Sequence, residues 1–150
     1  MTASTPPAPP AAPMPYGAPL SLDVAKRIMA AAESEAEAHG WPMVIAIADS
    51  TGHLVMLHRM ANAQLASVAI ATAKAQTAVN FRRNTKVFQD LVALGGVHHR
   101  LLAMPGMTPL EGGVPVVVDG CVAGAVGVSG MASGQDAQVA EAGIRALLDA

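Results

Sequence analysis

Chemistry in this chain has few candidate residues, and each admits a functional and a plainer reading. Arg59 closes the run His53 to Arg59, where alternation puts it on the side of Val55 and Leu57. A guanidinium there could grip a carboxylate through two parallel hydrogen bonds, or simply pair with Asp49 across a hairpin. Lys74 is the lone cation of an alanine-rich stretch, on one helical face with Ser67 and Phe81. It reads either as an anchor for a substrate carboxylate or as an ordinary solvated charge. Gly112 and Gly113 stand just before an apolar run, so their backbone amides could approach an anion or a developing oxyanion. A bulge or tight turn at a strand entrance explains them equally well. Gly127 and Ser129-Gly130 invite the same two readings, with Ser129 adding a hydroxyl donor. Glu111 and Asp136 are the carboxylates that could move protons on an organic acid so oriented. No base stands at a spacing that would make a nucleophile of a hydroxyl or thiol. The neighbours His98 and His99 share no zinc-type spacing with another ligand, so no metal centre is expected.

These residues need elements to position them. Ser21 is a candidate N-cap and Asp23 complements the dipole of a helix carrying Val24, Ala25, Ile28, Ala31 and Ala32, which Gly40 ends. Met43 to Ala48 and His53 to Arg59 flank Asp49-Ser50-Thr51-Gly52 and predict a β-hairpin. Gln64 to Phe81 predicts a helix with Leu65, Val68, Ala69, Thr72, Ala75 and Val79 as its apolar stripe. Asn84 or Thr85 could cap a further helix through Val87, Phe88, Leu91 and Val92, stopped at Gly95-Gly96. Gly95 to Gly113, which holds His98 and His99, reads as a long loop of functional or interfacial kind. Asp119-Gly120 predicts a second hairpin between Val114 to Val118 and Cys121 to Val128. Ser133 and Asp136, at capping-box spacing, open a closing helix with Val139, Ile144, Leu147 and Leu148. Two hairpins separated by helices predict an α/β domain of the α+β kind, with helices packed on an antiparallel sheet.

Composition narrows the function classes. The chain has 150 residues, 52% of them hydrophobic, enough for one well-buried domain. Residues 1–19 hold most of the 11 prolines and read as a Pro/Ala-rich arm, either a flexible tail or a strap around a partner subunit, ahead of a domain at 20–150. Nine basic against eleven acidic residues give a net charge of −2 and no field that favours nucleic acid or an anionic membrane. Arg, Lys, Asp or Pro interrupts each apolar run, so no bilayer-spanning helix is expected, and with no secretory pattern at the amino terminus a cytoplasmic location is. Cys121 is the single cysteine and reads as a small buried hydrophobe. So apolar and lightly charged a chain is expected to hide surface between subunits, as a homo-oligomer.

A resemblance adds to this. Arg59-Met60, Leu65-Ala66-Ser67, Lys74-Ala75 with Thr77-Ala78, and Gly112-Gly113-Val114-Pro115-Val116 are followed by Gly124-Ala125-Val126-Gly127-Val128-Ser129-Gly130, Asp136 and Ala142-Gly143. In that order they resemble the signature of the GlcG/HbpS haem-binding family, found also as the C-terminal domain of PduO-type proteins, over roughly residues 20 to 150. The resemblance implies a profilin-like fold with a central antiparallel sheet, dimers or larger rings, and haem or another small anionic or planar ligand. It departs from the family pattern at Ala61-Asn62, Glu111 and Met131. If the ligand is haem, His98 and His99, with His53 and His58, are candidate axial ligands. The expectation is a small-molecule-binding oligomer taking haem or a carboxylate-bearing metabolite at Arg59, Lys74, Gly112, Gly113, Ser129, His98 and His99. The alternative is an enzyme of small organic acid catabolism, a hydrolase, isomerase or deaminase, with Lys74, Glu111 and Asp136 catalytic. Both require Arg59, Lys74 and Gly112-Gly113 to meet in one polar-lined hollow.

Overall fold

The structure, a computed structural model, describes residues 12–148. Its sheet grows from two local turns. The Asp49 carboxylate accepts from the Thr51 amide at 2.9 Å and the Thr51 hydroxyl at 2.5 Å, and Gly52 takes a φ of 81°. That turn joins β1 (Val44–Asp49) to β2 (Leu54–Arg59). Asp119 and Gly120 both take positive φ, 50° and 75°, as a two-residue hairpin turn requires, and join β3 (Gly113–Val118) to β4 (Cys121–Ser129). β1 then pairs with β4, giving one antiparallel sheet in the order β2-β1-β4-β3. This is the α+β architecture that the sequence pattern predicts.

The two faces of the sheet differ in side-chain size. α1 (Leu22–His39) starts where Ser21 Oγ accepts from the Val24 amide and ends at Gly40, whose φ of 69° is left-handed. With α4 (Ser133–Arg145) it covers one face, where Ile28, Met29 and Val139 meet Ile45, Ile47, Val126 and Val128. Alternation turns Val44, Ala46 and Ala48 to the other face, against Ala71, Ala75 and Ala78 of α2 (Ser67–Phe81). There the helix backbone nearly touches the sheet: a Cβ on Gly127 would land on the Ala71 carbonyl oxygen and 3.0 Å from Ala75 Cβ. Alanine in α2 is therefore a requirement of close approach as well as a helix former.

Several local expectations are corrected. α2 begins at Ser67 rather than Gln64, and its buried face runs through Ser67, Ala71, Lys74, Ala75 and Ala78, leaving Leu65 77% exposed. Alanine populates both candidate stripes, so periodicity could not set the phase. α3 (Thr85–Leu94) receives no side-chain cap from Asn84 or Thr85. Thr85 Oγ1 instead accepts from the Gly113 amide at 2.9 Å. Within the stretch expected to be a loop, Gly96–Ala103 winds into an eight-residue 3-10 segment. Ser133 is the first residue of α4 and not its cap; Gln135 Oε1 accepts from the Ala132 amide at 3.1 Å.

The described end of the proline-rich arm lies against its own chain. Beyond the end of β1, the Val122 amide donates to the Pro15 carbonyl and the Gly17 amide donates to the Val122 carbonyl, both at 2.9 Å. Tyr16 Oη donates to the Val79 carbonyl at 2.7 Å, at the close of α2. Residues 1–11, to which most of the arm's expected strap belongs, lie outside the described residues. Among the described residues no helix is long and apolar enough to cross a membrane.

Candidate functional site

α2, β4 and α4 bring three of the nominated residues, Lys74, Ser129 and Asp136, into one polar knot. Lys74 and Asp136 are each only 2% exposed. Lys74 Nζ donates to Asp136 Oδ2 and to the Val128 carbonyl, both at 2.9 Å. Asp136 Oδ1 accepts from the Met131 amide at 3.0 Å, which ties the approach to α4 to the same carboxylate. Ser129 Oγ donates to Ser67 Oγ at 3.0 Å, and Gln64 Nε2 donates to the same hydroxyl at 3.0 Å. Burial pushes the Asp136 carboxyl above its ordinary value, against the opposing pull of the Lys74 ammonium and the Met131 amide.

The two glycines close this knot. A Cβ on Gly112 would stand 2.8 Å from Lys74 Nζ and 2.7 Å from the Val128 carbonyl oxygen, and Gly112 takes a φ of 128° that side chains rarely adopt. A Cβ on Gly113 would land on the Lys74 carbonyl oxygen and 2.7 Å from Thr85 Cγ2. The Gly113 amide is taken by Thr85. Both glycines thus face protein backbone at close range, and among the described residues no buried side-chain polar atom lacks a partner.

The remaining nominated residues take no hydrogen bond in the knot, although the Glu111 charge is near enough to help raise the Asp136 carboxyl. Arg59 pairs in register with Val44, and Val44 with Ser129, so Arg59 is exposed at the sheet edge two strands from β4. Asp49 is at the opposite end of β1 and spends its carboxylate on Thr51, so no cross-hairpin pair with Arg59 forms. Glu111 borders a cleft of about 30 Å³ beside Lys86, Gly112 and Glu141, room for one water. His98 is half-buried and His99 exposed on the 3-10 segment. Arg59, Lys74 and Gly112-Gly113 therefore share no open hollow, because the space between Lys74 and Gly112 is filled by their own contacts.

Open space lies elsewhere. One hollow, about 460 Å³, runs beneath the arm and is lined by Leu20, Val24, Val118, Cys121 and Ala123. Another, about 370 Å³, opens where α2, α3 and the 3-10 segment meet, and Arg82, Arg83 and Arg100 line it with Phe81 and Phe88. Sequence reasoning missed these arginines; the Arg82-Arg83 doublet at the end of α2 was the available signal.

Residues 20–145 match the family described as "Haem degrading protein HbpS-like". The chain belongs to the HbpS-like family. It is 45% identical to protein GlcG of Escherichia coli over 110 residues, covering 73% of this chain and 81% of that protein. The fold superposes on a crystal structure of a PduOC–haem complex with a TM-score of 0.78 at 29% identity, covering 85% of this chain and 94% of that one. A double mutant of Streptomyces reticuli HbpS superposes with a TM-score of 0.79 at 31% identity, covering 97% and 98%. In this HbpS-like chain Lys74, Gly112, Gly113, Gly127, Ser129 and Asp136 all lie within the closed contact of α2 with β4, α4 and the start of β3.

Proposed function

We propose that this HbpS-like chain binds haem. The observation that carries the reading is its superposition, over 85% of its length, on the PduOC–haem complex. Haem asks a protein for an apolar slot, cations for two propionates and a donor for iron. The Lys74 knot meets none of these demands, since its ammonium is occupied and no space remains beside it. The residues around the 3-10 segment fit better, with apolar walls, arginines and the half-buried His98 one turn before the hollow-lining Leu101. Bound there, haem would supply the iron chemistry while this chain's residues bind, orient and shield it.

The same disposition favours binding over organic acid catalysis. A catalytic Lys74 would have to leave both Asp136 and the Val128 carbonyl before it touched a substrate. Self-association belongs to the proposal as well: Leu94, Val97 and Leu102 are 75%, 67% and 63% exposed on neighbouring turns, an apolar surface suited to a second copy. Titration of the purified chain with hemin tests the reading. A saturable Soret shift at one haem per chain is expected, with a mass above that of one chain by light scattering. No Soret shift at micromolar hemin would overturn it.

A further inference from the structure

We infer that the hollow between the end of α2, α3 and the 3-10 segment is a carboxylate-binding site for a flat apolar ligand, gripped by Arg82, Arg83 and Arg100. This deepens the haem reading and rests on it for the identity of the ligand.

Charge is the first argument. Three of the chain's nine lysines and arginines line this one hollow, in a protein whose net charge is −2, and no carboxylate lines it with them. None of the ion pairs formed among the described residues uses any of the three. Arginines gathered without a counter-charge repel one another, and an anion relieves the repulsion. A guanidinium is suited to carboxylate because its planar fork offers two parallel donors.

The floor supplies the second argument. Phe81 and Phe88 meet edge to face with ring centroids 5.4 Å apart, and Leu101, Met104 and Met107 complete an apolar, polarizable wall. The volume of about 370 Å³ lies within the range of small-molecule sites. Apolar floor under basic rim is the pattern that recognises a flat hydrophobic body bearing carboxylates.

The backbone gives the third. Arg82 occupies the left-handed C-cap of α2, φ 55°, a conformation that favours glycine. Its guanidinium is oriented by a donation to the Met14 carbonyl at 3.1 Å and lies 5.0 Å from the centre of the Tyr16 ring. The arm thus holds one cation of the rim in place, while Arg83 and Arg100 are exposed and able to swing onto a ligand.

Haem propionates and small aromatic carboxylates share this chemistry, and the test separates them. The full chain and the charge-swapped Arg83→Glu/Arg100→Glu variant are titrated with hemin, with hemin dimethyl ester, and with benzoate. Both positions are exposed, so the fold should persist; if the melting temperature falls, Arg83→Gln/Arg100→Gln replaces the swap. Hemin affinity is expected to drop at least tenfold in the variant, while affinity for the ester, which has no free carboxylate, stays unchanged. Equal hemin affinity in both proteins would overturn the site and leave the haem reading standing. Benzoate binding by calorimetry that the variant loses, with no hemin bound by either protein, would support the site and overturn haem as its ligand. Failure of the wild-type chain to bind any of the three would overturn both.

Discussion

Lys74→Met tests whether the buried knot is structural. Methionine keeps nearly the length of lysine and removes the ammonium. Asp136, 2% exposed, is then left with only the Met131 amide against its carboxylate. Removing one partner of a buried ion pair costs about 3–5 kcal/mol, because the other charge stays desolvated. A domain of this size holds only about 5–15 kcal/mol in all, so the loss should be plain in the denaturant midpoint. At roughly 2–4 °C per kcal/mol, the melting temperature should fall by about 6–20 °C. Asp136→Leu in the same background removes the stranded charge, and the double variant should regain about 2 kcal/mol or more, since apolar replacement of both partners is near neutral. The assay is urea unfolding followed by circular dichroism, with the slope held constant across the four proteins of the cycle. A loss below about 1 kcal/mol for Lys74→Met would refute the reasoning and return Lys74 to the pool of ligand anchors.

Acidity, packing and the arm give three further expectations. Burial raises the Asp136 carboxyl above its ordinary 3.8, so on acidification the folded chain takes up that proton before the unfolded chain does. Its contribution to stability therefore grows as pH falls through the folded pKa and levels off below the unfolded one; Asp136→Asn should remove that slope just above about pH 4, and identical slopes would refute the assignment. Gly113→Ala puts a methyl against the Lys74 carbonyl and Thr85 Cγ2 and should cost about 1–3 kcal/mol, read as a lower urea midpoint. Tyr16→Phe deletes the donation to the Val79 carbonyl, and about 1 kcal/mol of lost anchoring should appear as faster proteolysis near residues 12–20.

What could be read from the residues alone had local causes. Ser21, Gly40, Asp49 to Gly52 and Asp119-Gly120 each act within a few residues, by capping or by adopting positive φ, and all four mark real boundaries. The phase of α2 was not local. With alanine on both candidate stripes, what decides is the sheet surface that α2 meets, where Gly127 and Ala125 leave room for the helix backbone. Ser133 misled for a related reason: a capping-box spacing was present, but Asp136, its acidic member, bonds to Lys74 and the Met131 amide, while Gln135 caps. Winding of Gly96–Ala103 escaped notice because short 3-10 turns carry little periodic signal.

The legibility of the site follows the same division. Lys74 and Asp136 were both singled out, but their partnership spans 62 residues of sequence and only the fold could disclose it. Once they are paired, a lysine in an alanine-rich helix ceases to be an anchor awaiting a substrate and becomes the pin between α2, β4 and α4. The glycines of the resemblance change meaning likewise: Gly112, Gly113 and Gly127 leave out side chains so that backbones can meet, and the space gained is already filled. A motif that specifies close packing can be shared by proteins whether or not their ligands agree. Residues that choose a ligand should then stand outside it, on elements free to differ. Arg82, Arg83 and Arg100 satisfy that condition: they come from the end of α2 and from the 3-10 segment, outside the closely packed glycines and the Lys74 knot, and they line open space.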